Sequence, residues 1–156
     1  MRRVAFTLIL ATVLLGGAPA ALASEPDACS VTEAHARVHK AARALHRAEA
    51  RLAEAKRVLS ATRAYSTQYG ASVGRWVWLS RRVDWPWTQV PQLMYVVDRE
   101  SNGDPDAKNT VSSASGLLQF LSDWWAGKWD PFDPRANLRH GYLAWREVQW
   151  TPWALP

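Results

Sequence analysis

The chain has 156 residues, of which 48% are hydrophobic and 21% are charged, and its formal net charge is +5. That length suits one ordinary domain, or a small domain with an accessory element, and the apolar fraction excludes a chain that is disordered throughout. A single cysteine excludes an intramolecular disulfide framework and a cysteine-based zinc finger. The unusual feature is ten tryptophans, all of which lie between Trp76 and Trp153.

The first 23 residues have the pattern of a cleaved secretory signal peptide. Basic residues at positions 2 and 3 precede an apolar stretch over residues 4–15, and Ala21-Leu22-Ala23 is an A-x-A cleavage site before Ser24. The apolar stretch is shorter than the roughly 20 residues that span a bilayer. We therefore expect residues 24–156 to be exported and soluble. Cys29 is interpreted as an unpaired thiol in a loose arm, or less readily as half of an intermolecular disulfide.

A basic helix with a heptad pattern is predicted for residues 30–64. Ser30 and Glu33 have capping-box spacing, and no Gly or Pro interrupts the segment. Large apolar residues recur every seven positions, and small residues recur three positions after each of them. The large residues are Val31, Val38, Leu45, Leu52 and Leu59, and the small ones are Ala34, Ala41, Ala48, Ala55 and Thr62. Because a lone helix exposes such a seam, we expect it to form a homo-oligomer, bind a partner helix or fold against the second domain.

The net excess of positive charge in the chain that is predicted to be exported lies on this helix. Residues 30–64 carry eight Lys or Arg and three Glu, whereas residues 65–156 carry nine of each sign. A solvated polar face is the simpler interpretation, and electrostatic association with anionic envelope polymers or a membrane surface is the alternative. Nucleic acid is a poor partner for an exported chain. His35, His39 and His46 share one helical face. His35 and His39, at i and i+4, could share a metal ion, but His46 lies about two turns further along. Because two ligands alone make a weak metal site, no metal is predicted.

A second, compact domain is predicted to follow a linker. Residues 65–75 contain two glycines and several hydroxyl residues, which is typical of a linker, and the domain extends over residues 76–156. Within it, Thr88 is predicted to cap a helix with Pro91 in its first turn. The apolar face of that helix is Val90, Leu93, Met94 and Val97. Glu100 falls at the edge of this face, where partial desolvation would raise its pKa, as a general acid requires.

Two motifs follow one another in this domain. Residues 100–109 read E-S-N-G-D-P-D-A-K-N, and residues 112–120 read S-S-A-S-G-L-L-Q-F. In this order and spacing, over about residues 85–153, they resemble the lysozyme-like domain of soluble lytic transglycosylases. Later residues similar to the short secreted version of that domain are Trp124, the segment 130–134, Asn137 and the segment 150–153. The fold that the resemblance implies is mainly α: a long coiled-coil-like helix, then a small lysozyme-like helical domain.

The resemblance implies a role for each matching residue. Glu100 would be the catalytic acid/base, Ser101 and Asn109 would shape the turn, and Gly116, Leu117 and Gln119 would line a glycan cleft. Such enzymes act on peptidoglycan glycan strands without a cofactor, and the protein would be extracytoplasmic and associated with the bacterial cell wall. One carboxyl protonates the bond between N-acetylmuramic acid and N-acetylglucosamine, then accepts the C6 hydroxyl proton as a 1,6-anhydro ring closes.

The residues leave several points open. A hydrolase would need a second carboxylate, for which the candidates are Asp104, Asp106, Asp123, Asp130 and Asp133, although turn-forming or capping roles are favoured for each. Most tryptophans are expected to build the core, and Trp124, Trp125 and Trp129 are the candidates for stacking on sugar rings. The alternatives to an enzyme are a non-catalytic cell-wall-binding protein with this fold and a coiled-coil interaction protein whose compact domain is a structural cap.

Overall fold

A computed structural model describes residues 28–153 of the chain. The signal peptide predicted for residues 1–23 lies outside the described residues. The described part is mainly helical and contains no strand, only isolated bridges that join Ser115 to Lys108 and to Phe120. The helices are α1 (Ala28–Tyr69), α2 (Ala71–Gly74), α3 (Trp76–Arg82), α4 (Val90–Ser101), α5 (Ser122–Trp125) and α6 (Pro134–Val148), followed by a 3₁₀ turn at Thr151–Trp153. Within residues 28–153, no helix combines the length and apolar character that crossing a membrane requires.

Internal contacts divide the chain into a unit that ends at Leu45 and a unit that begins at His46. In the first unit, residues 30–45 are helical and exposed throughout, including the heptad residues Val31, Val38 and Leu45. The helix begins at Ala28, so Ser30 lies inside it, and the predicted capping box is wrong. Glu33 instead pairs with Arg37 one turn later, at 3.7 Å.

In the second unit, α1 contacts the core through a face that the heptad pattern did not predict. Val58, Ala61, Tyr65 and Tyr69 pack against the core, and their spacing of three, four and four residues is that of a straight helix. The heptad residues Leu52 and Leu59 lie on another face and remain 56% and 52% exposed. Within this unit, the large seam residues Leu52 and Leu59 are therefore not buried against the compact domain.

The linker predicted for residues 65–75 is helical instead. Helix α1 continues to Tyr69, and after Gly70, whose φ is +96°, the chain enters α2. Val73 in α2 is fully buried, so this segment is part of the core. Gly74 is required here because a Cβ would collide with Ser66 and with the backbone of α1. Gly74 and Ser66 therefore serve a close helix crossing rather than a flexible connection.

Tryptophans build the core of the second unit in two clusters. Trp85 is fully buried, donates from Nε1 to the Leu138 carbonyl at 2.9 Å and stacks on Trp150. Phe120 is the centre of the other cluster, with Trp129 and Trp153 at 5.5 and 5.7 Å between ring centroids, and the exposed Trp124 ring lies 5.6 Å from it. The two clusters meet where the Trp150 and Trp153 rings lie 5.6 Å apart. Of the ten tryptophans, only Trp78 and Trp124 are exposed.

Candidate active site

Helix α4 carries Glu100 to the edge of the core. The predicted apolar face is confirmed, since Val90, Leu93, Met94 and Val97 are buried, and Pro91 lies in the first turn. The residue before the helix is Gln89, whose side chain makes no capping hydrogen bond, so Thr88 is not the cap. Glu100 is the penultimate residue of α4 and is half-buried, as its position at the edge of the apolar face predicted.

The turn after Glu100 ends the helix and anchors it. Asn102 adopts a left-handed conformation with φ of 53°, and Gly103 follows with φ of 75° and donates back to the Val97 carbonyl. A Cβ on Gly103 would collide with the Ser72 carbonyl in α2. The Gly103 carbonyl accepts the indole N–H of Trp76 at 2.9 Å. The E-S-N-G motif thus fixes where α4 stops and holds its end, with Glu100, against α2 and α3.

A small pocket of about 110 Å³ forms around Glu100. Three further segments contribute to it: the loop that ends at Leu121, helix α5 and the 3₁₀ turn. The lining residues are Glu100, Leu118, Gln119, Phe120, Leu121, Trp124, Pro152 and Trp153. Most of these side chains are apolar or aromatic, and Glu100 carries the only carboxyl among them. The pocket places one carboxyl beside an exposed indole, that of Trp124.

The surroundings of Glu100 favour its protonated form. Burial raises the pKa of Glu100 above the usual range of a glutamate, and the neighbouring Arg99 guanidinium offsets this only in part. The Arg99 side chain itself lies beside the Tyr95 ring, 6.0 Å from its centroid. A carboxyl that holds its proton to a higher pH than an ordinary glutamate can donate it to the leaving oxygen of a substrate.

Gln119 holds the loop that faces Glu100. Its backbone is left-handed, with φ of 49°, and its side-chain N–H groups donate to the carbonyls of Ala107 at 3.2 Å and Gly116 at 2.9 Å. Gln119, which was predicted to line a glycan cleft, lines this pocket, but its side-chain N–H groups are engaged within the loop. Gly116, with φ of 77°, lies so close to the Pro131 carbonyl that a Cβ would collide with it.

The other predicted binding residues do not line the pocket. The Ser101 hydroxyl donates to the Val97 carbonyl within α4, and Asn109 closes a turn by accepting the N–H groups of Val111 and Ser112. The Leu117 side chain is fully buried in the core, so it presents no surface to a glycan. These residues, with Gly116, shape and support the loops around Glu100.

Two of the three predicted sugar platforms are packed into the domain. Trp125 is half-buried and donates from Nε1 to the Phe120 carbonyl at 2.9 Å. Trp129 stacks on His140, with the ring planes 8° apart, and its Nε1 donates to the Trp124 carbonyl. Trp124 alone of the three is exposed and lines the pocket. Leu118, Leu121 and Trp153 were not predicted to lie at the site, and only tertiary packing brings them there.

Three of the five aspartates that were candidates for a second carboxylate form hydrogen bonds with the backbone close to them in sequence. Asp104, Asp130 and Asp133 each accept the backbone N–H of the residue two positions later, and Asp133 caps α6. None of the five aspartates lines the Glu100 pocket. Turn formation and capping, the roles favoured for these residues, therefore account for three of the five.

No group of three or more His, Cys, Asp or Glu suited to a metal ion occurs within residues 28–153. His35, His39 and His46 are exposed on α1, and His46 lies 3.5 Å from Glu49. Burial lowers the pKa of His140, which favours the neutral ring stacked on Trp129, and the nearby Arg139 acts in the same direction.

Comparison of the chain with protein-family models, with curated proteins and with solved structures gave no match.

Proposed function

We propose that the protein cleaves the β-1,4 bond between N-acetylmuramic acid and N-acetylglucosamine in peptidoglycan, as a lytic transglycosylase with a small lysozyme-like domain. The observation that carries this proposal is Glu100: a half-buried carboxyl with a raised pKa, in a pocket that contains no other carboxyl among its lining residues. The resemblance of residues 100–120 to the transglycosylase motifs supports the same role. Export to the cell wall completes the proposal.

The reaction needs one carboxyl used twice. Protonated Glu100 donates its proton to the glycosidic oxygen as the bond from C1 of the muramic acid to that oxygen breaks, with positive charge developing at C1. The Glu100 carboxylate then accepts the proton of the C6 hydroxyl while O6 bonds to C1. The 1,6-anhydro ring closes, the carboxyl is again protonated, and no water is consumed. Two-carboxylate hydrolysis fits less well, because no aspartate lines this pocket.

Trp124 is the residue best placed to hold a sugar ring beside Glu100. Its indole is 43% exposed, lines the pocket and rests on Phe120 at 5.6 Å between centroids. Flat indole faces pack against the C–H faces of sugars. The pocket volume suits the region around one glycosidic bond, so the rest of a glycan strand would lie along the open surface past Leu121 and Pro152.

The test is mass spectrometry of the muropeptides that the purified full-length protein releases from sacculi. We expect the released products to carry 1,6-anhydro ends. In Glu100→Gln, the rate of their release should fall by about 10²- to 10⁴-fold. Because Glu100 must be protonated, activity should fall as the pH rises through its raised pKa. Glu147→Gln, an exposed glutamate on α6, is the matched control and should keep full activity.

The outcomes separate the proposal from its alternatives. Products with reducing ends that also vanish in Glu100→Gln would retain the acid but show hydrolysis rather than transglycosylation. Binding to sacculi without any released product would instead support a non-catalytic wall-binding protein, and would contradict the enzyme.

A further inference from the structure

A second surface, separate from the Glu100 pocket, lies between α1 and α3. It is a groove of about 850 Å³ within the second unit, and it shares no lining residue with the Glu100 pocket. One side is formed by residues 50–62 of α1 and the other by Trp78, Arg81 and Arg82 of α3. We call it the α1–α3 groove.

The floor and wall of the groove are apolar and accessible. Leu59 and Trp78, both 52% exposed, are large apolar side chains left open to solvent on its two sides. Ala50, Ala55 and Thr62 line it with small side chains, which let another backbone approach closely.

The rim of the groove is cationic. Arg51, Arg81 and Arg82 line it, and Glu54 is its only acidic residue. Glu54 is already satisfied, because its carboxylate accepts Arg81 Nε at 3.1 Å and the Trp87 indole N–H at 3.0 Å. Arg51 and Arg82 form no ion pair with a carboxylate of residues 28–153. The Arg82 guanidinium instead lies over the Trp78 ring, 5.0 Å from its centroid.

We propose that the α1–α3 groove binds an acidic amphipathic helix of another protein. The apolar face of that helix would cover Leu59 and Trp78, and its Asp or Glu side chains would pair with Arg51 and Arg82. A second copy of this chain fits less well, because residues 30–64 carry eight basic and three acidic residues and would bring like charge to the rim. The groove thus recruits a partner, and the Glu100 pocket acts independently of it.

The probe for the test is a pair of synthetic helical peptides about three heptads long, with Leu at positions a and d. One peptide carries Glu at positions e and g, and the other carries Lys there. Fluorescence anisotropy with the full-length protein should show the Glu peptide binding at least about tenfold more tightly than the Lys peptide. Trp78→Ala should weaken binding of the Glu peptide by about tenfold or more, while circular dichroism shows an intact fold, since this ring is exposed.

Charge reversal is the sharper arm of the test. The double variant Arg51→Glu and Arg82→Glu should reverse the preference, so that the Lys peptide binds more tightly. Arg135→Glu, an exposed arginine on α6 outside the groove, should leave the preference unchanged. Glu100→Gln should bind the Glu peptide as tightly as the parent does. The test of peptide binding is therefore independent of the test of enzymatic activity.

Three results would overturn the proposal. The first is equal or no binding of the two peptides. The second is a concentration-dependent dimer in sedimentation velocity that Trp78→Ala abolishes, which would assign the groove to a second copy. The third is binding to vesicles of equal phosphatidylglycerol and phosphatidylcholine that requires Trp78, without peptide binding, which would assign it to a lipid surface.

Discussion

The side-chain oxygen of Asn137 accepts the backbone N–H of Leu118 at 3.0 Å, across nineteen residues of chain. Asn137 lies fully buried in α6, and its Nδ2 donates to the Pro131 carbonyl at 3.0 Å. Leu118 in turn lines the Glu100 pocket. One buried amide thus joins α6, the segment before it and the loop that faces the proposed catalytic acid.

Asn137→Ala should destabilise the domain by about 2–4 kcal/mol. The substitution leaves the Leu118 N–H and the Pro131 carbonyl buried without their partners, and each such loss costs about 1–3 kcal/mol. Chemical denaturation followed by far-UV circular dichroism measures the effect. Asn109→Ala is the control, because that exposed side chain only closes a surface turn and should cost about 1 kcal/mol or less. Equal losses for the two variants would contradict the bridging role of Asn137.

The stability of Glu100→Gln should depend on pH in a defined direction. Burial raises the pKa of Glu100 in the folded state, so the folded protein holds this proton more tightly than the unfolded chain does. The stabilising contribution is fully present below the pKa of the unfolded chain and is lost as the pH rises through the raised pKa. Glutamine suffers no such loss, so the melting temperature of the variant should rise relative to that of the parent across this range.

Thermal melts from acidic to neutral pH provide the measurement for Glu100→Gln. Glu147→Gln serves as the comparison, since it removes an exposed carboxyl of the same type. If the Glu100→Gln and parent curves run parallel over the whole range, Glu100 is not desolvated in solution. That outcome would remove the main support for its role as a proton donor.

Local pattern in the sequence predicted the position of Glu100 correctly. The apolar residues of α4 repeat at helical spacing, so the edge of that face could be located from the residues alone. The fate of Trp125 and Trp129 could not be predicted in this way. Whether an indole faces solvent or the core depends on the tertiary structure. Here the indole N–H groups of Trp125 and Trp129 donate to the carbonyls of Phe120 and Trp124, which the sequence pattern does not reveal.

The long helix shows why a strong pattern can mislead. The heptad residues predict a seam with a period of 3.5 residues, whereas the contact with the core uses a straight helical stripe through Val58, Ala61 and Tyr65. Ala61 does not stand out in a segment rich in alanine, and Tyr65 lies in the segment that was interpreted as a linker. The prediction of a linker at residues 65–75 was wrong for a related reason, because Gly74 permits close packing of helices rather than a flexible connection.

Tyr65→Ala should destabilise the protein by about 2 kcal/mol, because Tyr65 packs against the core and stacks on Tyr69 at 6.3 Å. Leu52→Ala, on the exposed seam of the same helix, should change the free energy of unfolding by less than about 0.5 kcal/mol. Urea denaturation of both variants at low protein concentration measures the difference. A larger loss for Leu52→Ala would show that the seam is covered in solution.

Trp124→Ala and Trp125→Ala should separate glycan binding from stability. Trp124 is exposed at the pocket, so its removal should weaken binding to chitooligosaccharides, used as soluble glycan probes, by about tenfold while the melting temperature changes little. Trp125 holds the Phe120 carbonyl and packs against the core, so its removal should lower the melting temperature. Calorimetric titration and thermal melts on the two variants make the comparison. If Trp124 is a sugar platform, Trp124→Ala should weaken glycan binding without lowering the melting temperature, and Trp125→Ala should lower the melting temperature. Similar changes in both variants would indicate only a non-specific loss of aromatic surface and would contradict the platform.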